Sequence, residues 1–122
     1  MKGLVFLVCV GSLFIAAACA PKVPLVLTPE AQRIPVGEAD PGQGYQVIEG
    51  IDVQDGHGCG MYGTLGTFNG ALIQLRYEAG LLHADFVKII AMRTPYGDGN
   101  CFHNAYSISA IAYKKTAATE AP

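Results

Sequence analysis

Alternation of apolar and polar positions predicts two β-strands in this chain. The segment "AYSISAIAY" at 105–113 alternates without exception, and "YQVIEGIDV" at 45–53 alternates with Glu49 as the exception. Successive side chains of a strand point to opposite faces of a sheet, so this pattern is typical of strands with one buried face. The residues of the first strand that we expect to share a face are Tyr45, Val47, Ile51 and Val53.

Two other patterns complete the predicted elements. Between the strands, apolar residues recur at steps of three and four, which predicts an amphipathic helix with Asn69 as a plausible N-cap. The apolar stripe of this helix consists of Leu72, Leu75, Ala79 and Leu82. The segment "ADFVKIIAMR" at 84–93 is apolar and rich in β-branched residues, so it predicts a buried strand that forms a hairpin with the last strand.

This order of elements, strand–helix–strand–strand, predicts a small α+β domain. We expect an antiparallel or mixed sheet with one main helix packed on one face. Residues 28–44 are rich in turn formers and predict little regular structure, apart from one helical turn that Thr28 caps and Pro29 begins.

The N-terminus has the pattern of a secretory signal. Lys2 precedes an apolar run that extends from Leu4 to Ala18 and ends in small residues. This run is shorter than the about 20 apolar residues that a membrane-spanning helix requires, so we expect cleavage rather than retention.

The cleavage site resembles that of bacterial lipoproteins. "IAAAC" at 15–19 is similar to a lipobox, in which small residues precede a cysteine that receives lipid and becomes the mature N-terminus. The alternative is an ordinary cut near Ala18 or Ala20, which would leave Cys19 as a free thiol. Ala20 after the cysteine favours the outer membrane, because lipoproteins of the inner membrane commonly have aspartate there. We expect acylation of Cys19, with palmitate among the acyl groups, to anchor the protein stably on the periplasmic side.

Charge and size narrow the classes of function. Lys2 is the only charged residue of the first 18, so the mature chain carries a net charge of −3 where the full sequence carries −2. That charge argues against nucleic acid as a partner. The predicted division of the chain is a signal peptide at 1–18, the lipidated cysteine with a tether and an irregular segment at 19–44, a globular domain at 45–113 and a flexible tail at 114–122.

Processing of this kind leaves Cys59 and Cys101 in an oxidising compartment, where a disulfide is the favoured interpretation. The bond needs the loop after the first strand and the loop before the last strand to meet at one end of the sheet. Closing a loop of about 43 residues contributes about 4 kcal/mol in the chain-entropy model, which is large for so small a domain. We then expect His57 and His103 to be exposed loop histidines.

Two other interpretations of the segments around these cysteines are a metal site and a nucleotide-binding loop. The set His57, Cys59, Cys101 and His103 offers the donor atoms of a tetrahedral zinc site, although a single residue separates the ligands of each pair. The run from Gly58 to Gly63 also fits a G-x-G-x-x-G nucleotide-binding loop. The predicted helix begins too late for that motif, and the chain lacks repeated strand–helix units, so we expect no nucleotide.

Other polar and aromatic residues give weaker signals. His83 and Asp85 could form an acid–base pair, but a role at the helix end is the favoured interpretation. Ser107 and Ser109 predict a solvent-facing strand surface rather than nucleophiles. We therefore expect no catalysis and no cofactor. Core packing is the favoured interpretation of four aromatic residues near the disulfide, with a binding patch as the alternative: Tyr62, Tyr96, Phe102 and Tyr106.

Taken together, residues 45–113 resemble small Gram-negative envelope lipoproteins, a group that includes the Rcs stress-sensor lipoprotein and related outer-membrane lipoproteins. The residues that carry the resemblance are Leu75, Arg76 and Ala79 in the helix, Ala84 to Val87 at a strand entry, and Cys101, Asn104, Ala105 and Tyr106 before the last strand. These motifs are structural and identify a fold better than an activity. We expect a binding or structural role in the envelope, with another envelope protein as the possible partner; the alternative is metal binding or sensing by the two cysteine–histidine pairs.

Overall fold

The computed structural model describes residues 25–116. Its helices are α1 (Pro29–Arg33) and α2 (Phe68–Leu81), and a turn of 3-10 helix covers Gly60–Tyr62. Its strands are β1 (Val36–Gly37), β2 (Tyr45–Asp55), β3 (Phe86–Arg93), β4 (Tyr96–Gly97), β5 (Phe102–His103) and β6 (Tyr106–Lys115).

The sheet is mixed and has the strand order β1-β3-β6-β2. The pair β1 and β3 is parallel, whereas β6 pairs antiparallel with both β3 and β2. A separate two-stranded ribbon, β4 and β5, lies in the connection between β3 and β6. The predicted α+β class, the strand–helix–strand–strand order and the hairpin of the last two long strands are confirmed.

Helix α2 packs over β2 and β6 on one face of the sheet. Ala71, Leu75 and Ala79 are fully buried along one side of the helix, since four-residue steps bring them onto one stripe. The predicted cap at Asn69 is wrong, because the helix begins two residues earlier. Thr67 is the N-cap, and its hydroxyl accepts a hydrogen bond from the Gly70 amide at 2.9 Å.

Strand β2 contains a bulge that changes which residues share a face. The register with β6 shifts between Val47 and Glu49, so Val47 lies opposite Tyr113 while Glu49 lies opposite the buried Ala112. The predicted common face is therefore wrong for its first two members. One inserted residue moves Tyr45 and Val47 to the face that the helix does not cover.

Strand β3 is less buried than its apolar composition predicts. Val87 is fully buried, but Ile90 and Met92 are 54% and 44% exposed. The physical reason is position, since α2 packs mainly over β2 and β6 and leaves much of β3 uncovered. In the first half of β3 Val87 is buried and the other three residues are half-buried, whereas the prediction of a buried strand is wrong for the second half.

The N-terminal segment contributes to the core. Thr28 caps α1 as predicted, with its hydroxyl accepting from the Ala31 amide at 3.1 Å. Ala31 and Ile34 belong to the buried cluster beneath α2, although their segment shows no apolar periodicity. Strand β1 then adds a short parallel edge, so the packed domain includes residues N-terminal of position 45.

Candidate functional site

The segments 57–59 and 101–103, each with one cysteine and one histidine, meet at one end of the sheet. Cys59 and Cys101 form a disulfide with their Cα atoms 5.4 Å apart, which confirms the favoured interpretation of the sequence. Cys59 also makes an isolated antiparallel bridge to His103. The loop after β2 and the ribbon before β6 therefore form one unit, held by a covalent bond and by backbone pairing.

Asn104 holds this unit together from inside. It is 3% exposed, and its Nδ2 donates to the Gly60 carbonyl at 2.7 Å and to the His57 carbonyl at 3.5 Å. Its backbone amide donates to the Gly58 carbonyl at 3.1 Å, and its own carbonyl accepts from the Gly66 amide at 2.7 Å. The side chain and the backbone of this one buried residue thus tie the ribbon to the glycine-rich loop at several points.

The glycine-rich loop packs against its own chain rather than around an open cradle. A Cβ atom on Gly63 would overlap the carbonyl oxygen of His57, and one on Gly66 would overlap the carbonyl oxygen of Asp55. The amides of His57 and Thr64 donate to each other's carbonyls at 2.9 Å, so they are already used. Helix α2 begins after the motif and not within it, which agrees with the sequence-based argument against nucleotide binding.

Asp98 organises the turn that carries Cys101. Its Oδ1 accepts from the amides of Asn100 and Cys101 at 3.0 and 3.1 Å, and its Oδ2 accepts from His103 Nε2 at 2.6 Å. The hydrogen bond from His103, followed by those from the Cys101 and Asn100 amides, lowers the pKa of the Asp98 carboxyl from 3.8 to about 2.

His103 lies between this carboxylate and an aromatic ring. The His103 and Tyr96 rings stack with their centroids 4.6 Å apart. The Arg93 guanidinium lies over the Tyr96 ring, 5.8 Å from its centroid. Stacking and the bond to Asp98 fix the orientation of the imidazole. Its two nitrogens are each 3.8 Å from the sulfur of Cys101.

The predicted metal set is brought together in part. One ligand atom from each of Cys59, Cys101 and His103 lies within 4.8 Å of the others, whereas His57 is not part of this cluster. The backbone of His57 pairs with Thr64, and its residue surface is exposed. Asp98 was missing from the sequence analysis, and the Asp-Gly turn at 98–99 is the signal that could have pointed to it.

The aromatic residues near the disulfide are mostly exposed. Tyr62 is 94% exposed, Phe102 47% and Tyr96 42%, whereas Tyr106 contacts Phe68 with the ring centroids 5.7 Å apart. Core packing is therefore confined to Tyr106. We use the name loop platform for the exposed apolar residues of the two linked loops: Met61, Tyr62, Leu65, Tyr96 and Phe102.

The weaker polar candidates have structural partners. Asp85 accepts from the Lys115 amide at 2.7 Å, and His83 follows the end of α2 with a left-handed φ of 52°. On the open sheet face, Ser109 donates to Asp52 at 2.6 Å. These contacts agree with the structural roles that the sequence favoured.

Two shallow cavities of about 330 and 370 Å³ lie between α1 and the end of α2. The larger is mainly apolar and is lined by Ala31, Tyr77 and Leu81 among others. The smaller has charged residues of both signs, including Arg33, Asp85 and Lys114. Sequence reasoning did not find either cavity, because both depend on the packing of α1 against α2.

Comparison of the chain with protein-family models, with curated proteins and with solved structures gave no match. The resemblance to envelope lipoproteins therefore stays a prediction based on the residues quoted above. Among residues 25–116, no helix combines the length and the apolar character needed to cross a bilayer. The predicted signal, the lipid site at Cys19 and the end of the tail from residue 117 lie outside the described residues.

Proposed function

We propose that this protein is a lipid-anchored lipoprotein of the outer membrane that faces the periplasm and binds an envelope protein without catalysis. The support for the anchor is the lipobox-like segment that ends at Cys19. The Cys59–Cys101 disulfide fits an oxidising compartment, in which such bonds persist. Acylation at Cys19 would hold the domain at the membrane surface.

The observation that carries the binding role is the loop platform. Met61 and Tyr62 are 88% and 94% exposed, yet the loop beneath them is held by the disulfide and by Asn104. Aromatic and methionine side chains are enriched at protein interfaces. A backbone that is already ordered loses less conformational freedom on binding, so such side chains are suited to contact a partner.

The same end of the molecule favours binding over catalysis. The sulfur next to the Asp98–His103 pair belongs to Cys101, and it is bonded to Cys59 rather than free to act as a nucleophile. Away from that end, on the open face of the sheet, Ser109 donates to a carboxylate and not to a histidine. The described contacts thus stabilise loops and leave apolar side chains outside.

The binding role is tested by placing a photo-crosslinking amino acid at Tyr62 in the full chain inside intact cells. We expect a discrete crosslinked protein from Tyr62 and also from Phe102. Leu81 is the matched control, since it is apolar and 61% exposed but lies at the end of α2 outside the platform. The binding role is rejected if position 62 gives no adduct, or if position 81 gives the same adducts equally well.

The anchor is tested separately by metabolic labelling with a palmitate analogue. We expect Cys19→Ser to abolish labelling and to release the protein from membrane fractions, because the acylated residue is removed. Cys9→Ser is the control and keeps the label, since that residue lies within the predicted signal. Persistent labelling of the Cys19→Ser variant would show that the lipid site is elsewhere.

A further inference from the structure

We propose that the Cys59–Cys101 disulfide is the oxidised form of a metal site, in which reduction frees both thiolates to bind a zinc-type divalent cation together with His103. The site goes beyond the proposed binding role, since it lies under the loop platform and does not require a protein partner. It differs from the set expected from sequence, because Asp98 takes part and His57 does not.

The spacing of the ligand atoms suits tetrahedral coordination. Zinc bonds of about 2.3 Å to sulfur and about 2.05 Å to nitrogen, at a tetrahedral angle, place the two ligand atoms about 3.6 Å apart. The Cys101 sulfur is 3.8 Å from the nitrogens of His103. The Cα atoms of Cys59 and Cys101 are 5.4 Å apart, so separating the sulfurs to a similar spacing requires side-chain rotation rather than loop movement.

Asp98 gives His103 the orientation that metal-bound histidines usually have. Metal-ligating imidazoles commonly donate the other ring N–H to a carboxylate, which fixes the tautomer and the ring plane. His103 Nε2 donates to Asp98 Oδ2 at 2.6 Å, which leaves Nδ1 as the ligand atom. Asp98 is itself fixed by the amides of Asn100 and Cys101, so the imidazole is positioned before any cation arrives.

The opening step is a thiol–disulfide exchange with a dithiol reductant. One thiolate of the reductant attacks the sulfur of Cys59, which is the more exposed cysteine, and the Cys59–Cys101 bond breaks with Cys101 as the leaving thiolate. The second thiol of the reductant then resolves the mixed disulfide and leaves as its own disulfide. The protein gains two electrons and two protons, and both protons are released when the cation binds the thiolates.

The ligands stay together after the bond is broken. Asn104 still ties the loop to the ribbon through Gly60, and the backbone bridge between Cys59 and His103 does not involve the sulfurs. A cation bound by two thiolates and one imidazole retains one open position, which water can fill.

The test is a titration of the full chain with Co²⁺, in detergent, in a Cys9→Ser/Cys19→Ser background so that the loop thiols are the only ones present. With a phosphine reductant we expect one Co²⁺ per chain, with thiolate charge-transfer bands and the visible bands of tetrahedral cobalt. The oxidised chain should show neither. Zn²⁺ should displace the cobalt and bleach the spectrum.

Histidine variants provide a matched comparison. His103→Ala should weaken binding by more than tenfold, and Asp98→Asn by about tenfold, since it removes the group that orients His103. His57→Ala should leave binding unchanged, although His57 is equally close to a cysteine in sequence. Absence of binding by the reduced parent chain, whether or not circular dichroism shows it folded, would overturn the proposal. An equal loss in the His57 and His103 variants would do so too. The crosslinking experiment uses the oxidised protein, so the two proposals can fail independently.

Discussion

The helix–sheet core and the loop end with the disulfide become ordered by different means. In the core, Leu75, Val87 and Ile108 are at most 1% exposed, and their order comes from burial. At the loop end, Tyr62 is 94% exposed, but a disulfide and the side chain of Asn104 restrain the backbone around it. Side chains that order the core by being buried are not accessible to another molecule. Where a disulfide and a few hydrogen bonds order the backbone instead, the side chains stay exposed and can contact a partner.

The largest effect should come from the core. Leu75→Ala removes a fully buried side chain and leaves a cavity, so we expect the free energy of unfolding to fall by about 4 to 5 kcal/mol in urea denaturation. Leu81→Ala on the same helix is the control, with a change below about 0.5 kcal/mol because Leu81 is exposed. Equal losses in the two variants would mean that the core is not where the structure places it.

Loss of the disulfide should have the next largest effect. The bond joins residues 42 positions apart, and Cys59→Ser/Cys101→Ser should lower the free energy of unfolding by about 2 to 4 kcal/mol. A reductant should destabilise the parent protein by a similar amount and leave the double variant unchanged. If the reductant destabilises both, it acts through something other than this bond.

Asn104 tests whether the loop end can be loosened without unfolding the core. Asn104→Ala removes the buried side chain that donates to the Gly60 and His57 carbonyls and should cost about 1 to 3 kcal/mol. Amide hydrogen exchange should accelerate in residues 57–63 far more than in α2. Asn69→Ala, at an exposed position of the helix, is the matched control and should change neither the free energy of unfolding nor the exchange rates. Uniform acceleration throughout the domain would show that the two regions are not independent.

The smallest effect should come from acid. The pKa of Asp98 is about 2 in the folded protein and 3.8 ordinarily, so its carboxylate stabilises the loop end above pH 3.8 and loses this effect as the pH falls toward 2. In the folded protein the amide resonances of Asn100 and Cys101 should shift with a midpoint near pH 2, because both amides donate to Asp98. In Asp98→Asn the same resonances should no longer follow a carboxyl titration; if they still do, another group causes the shift.

The two regions also differ in how far sequence predicts them. Alternation and helical spacing identified β2, α2 and β6, because these patterns reflect burial on a single face. They failed where a distant contact decides the outcome. Thr67 rather than Asn69 caps the helix, since the Asp55 carboxylate accepts from the Thr67 amide at 2.9 Å and holds that residue in place. The bulge in β2 likewise depends on pairing with β6, and its local signal is limited to the exception at Glu49.

At the loop end, the sequence predicted the bond but not its surroundings. Cysteine count and the predicted oxidising compartment were sufficient to pair Cys59 with Cys101. The roles of Asp98 and Asn104 depend on how a ribbon of two short strands folds back onto the glycine-rich loop. Composition contains no information about that geometry, so His57 and His103 looked equivalent in the sequence although only His103 lies beside the disulfide.

The position of β6 determines when the sheet can form during synthesis of the chain. This strand lies between β2 and β3 and bonds to both, yet it follows every other strand of the described chain. Until β6 has been synthesised, the backbone N–H and C=O groups with which β2 and β3 bond to it are unpaired. These strand edges are then open to pairing with other chains. The nascent polypeptide therefore acquires its sheet only when residues 106–115 emerge, so a prematurely terminated product would lack a fold and not merely a segment.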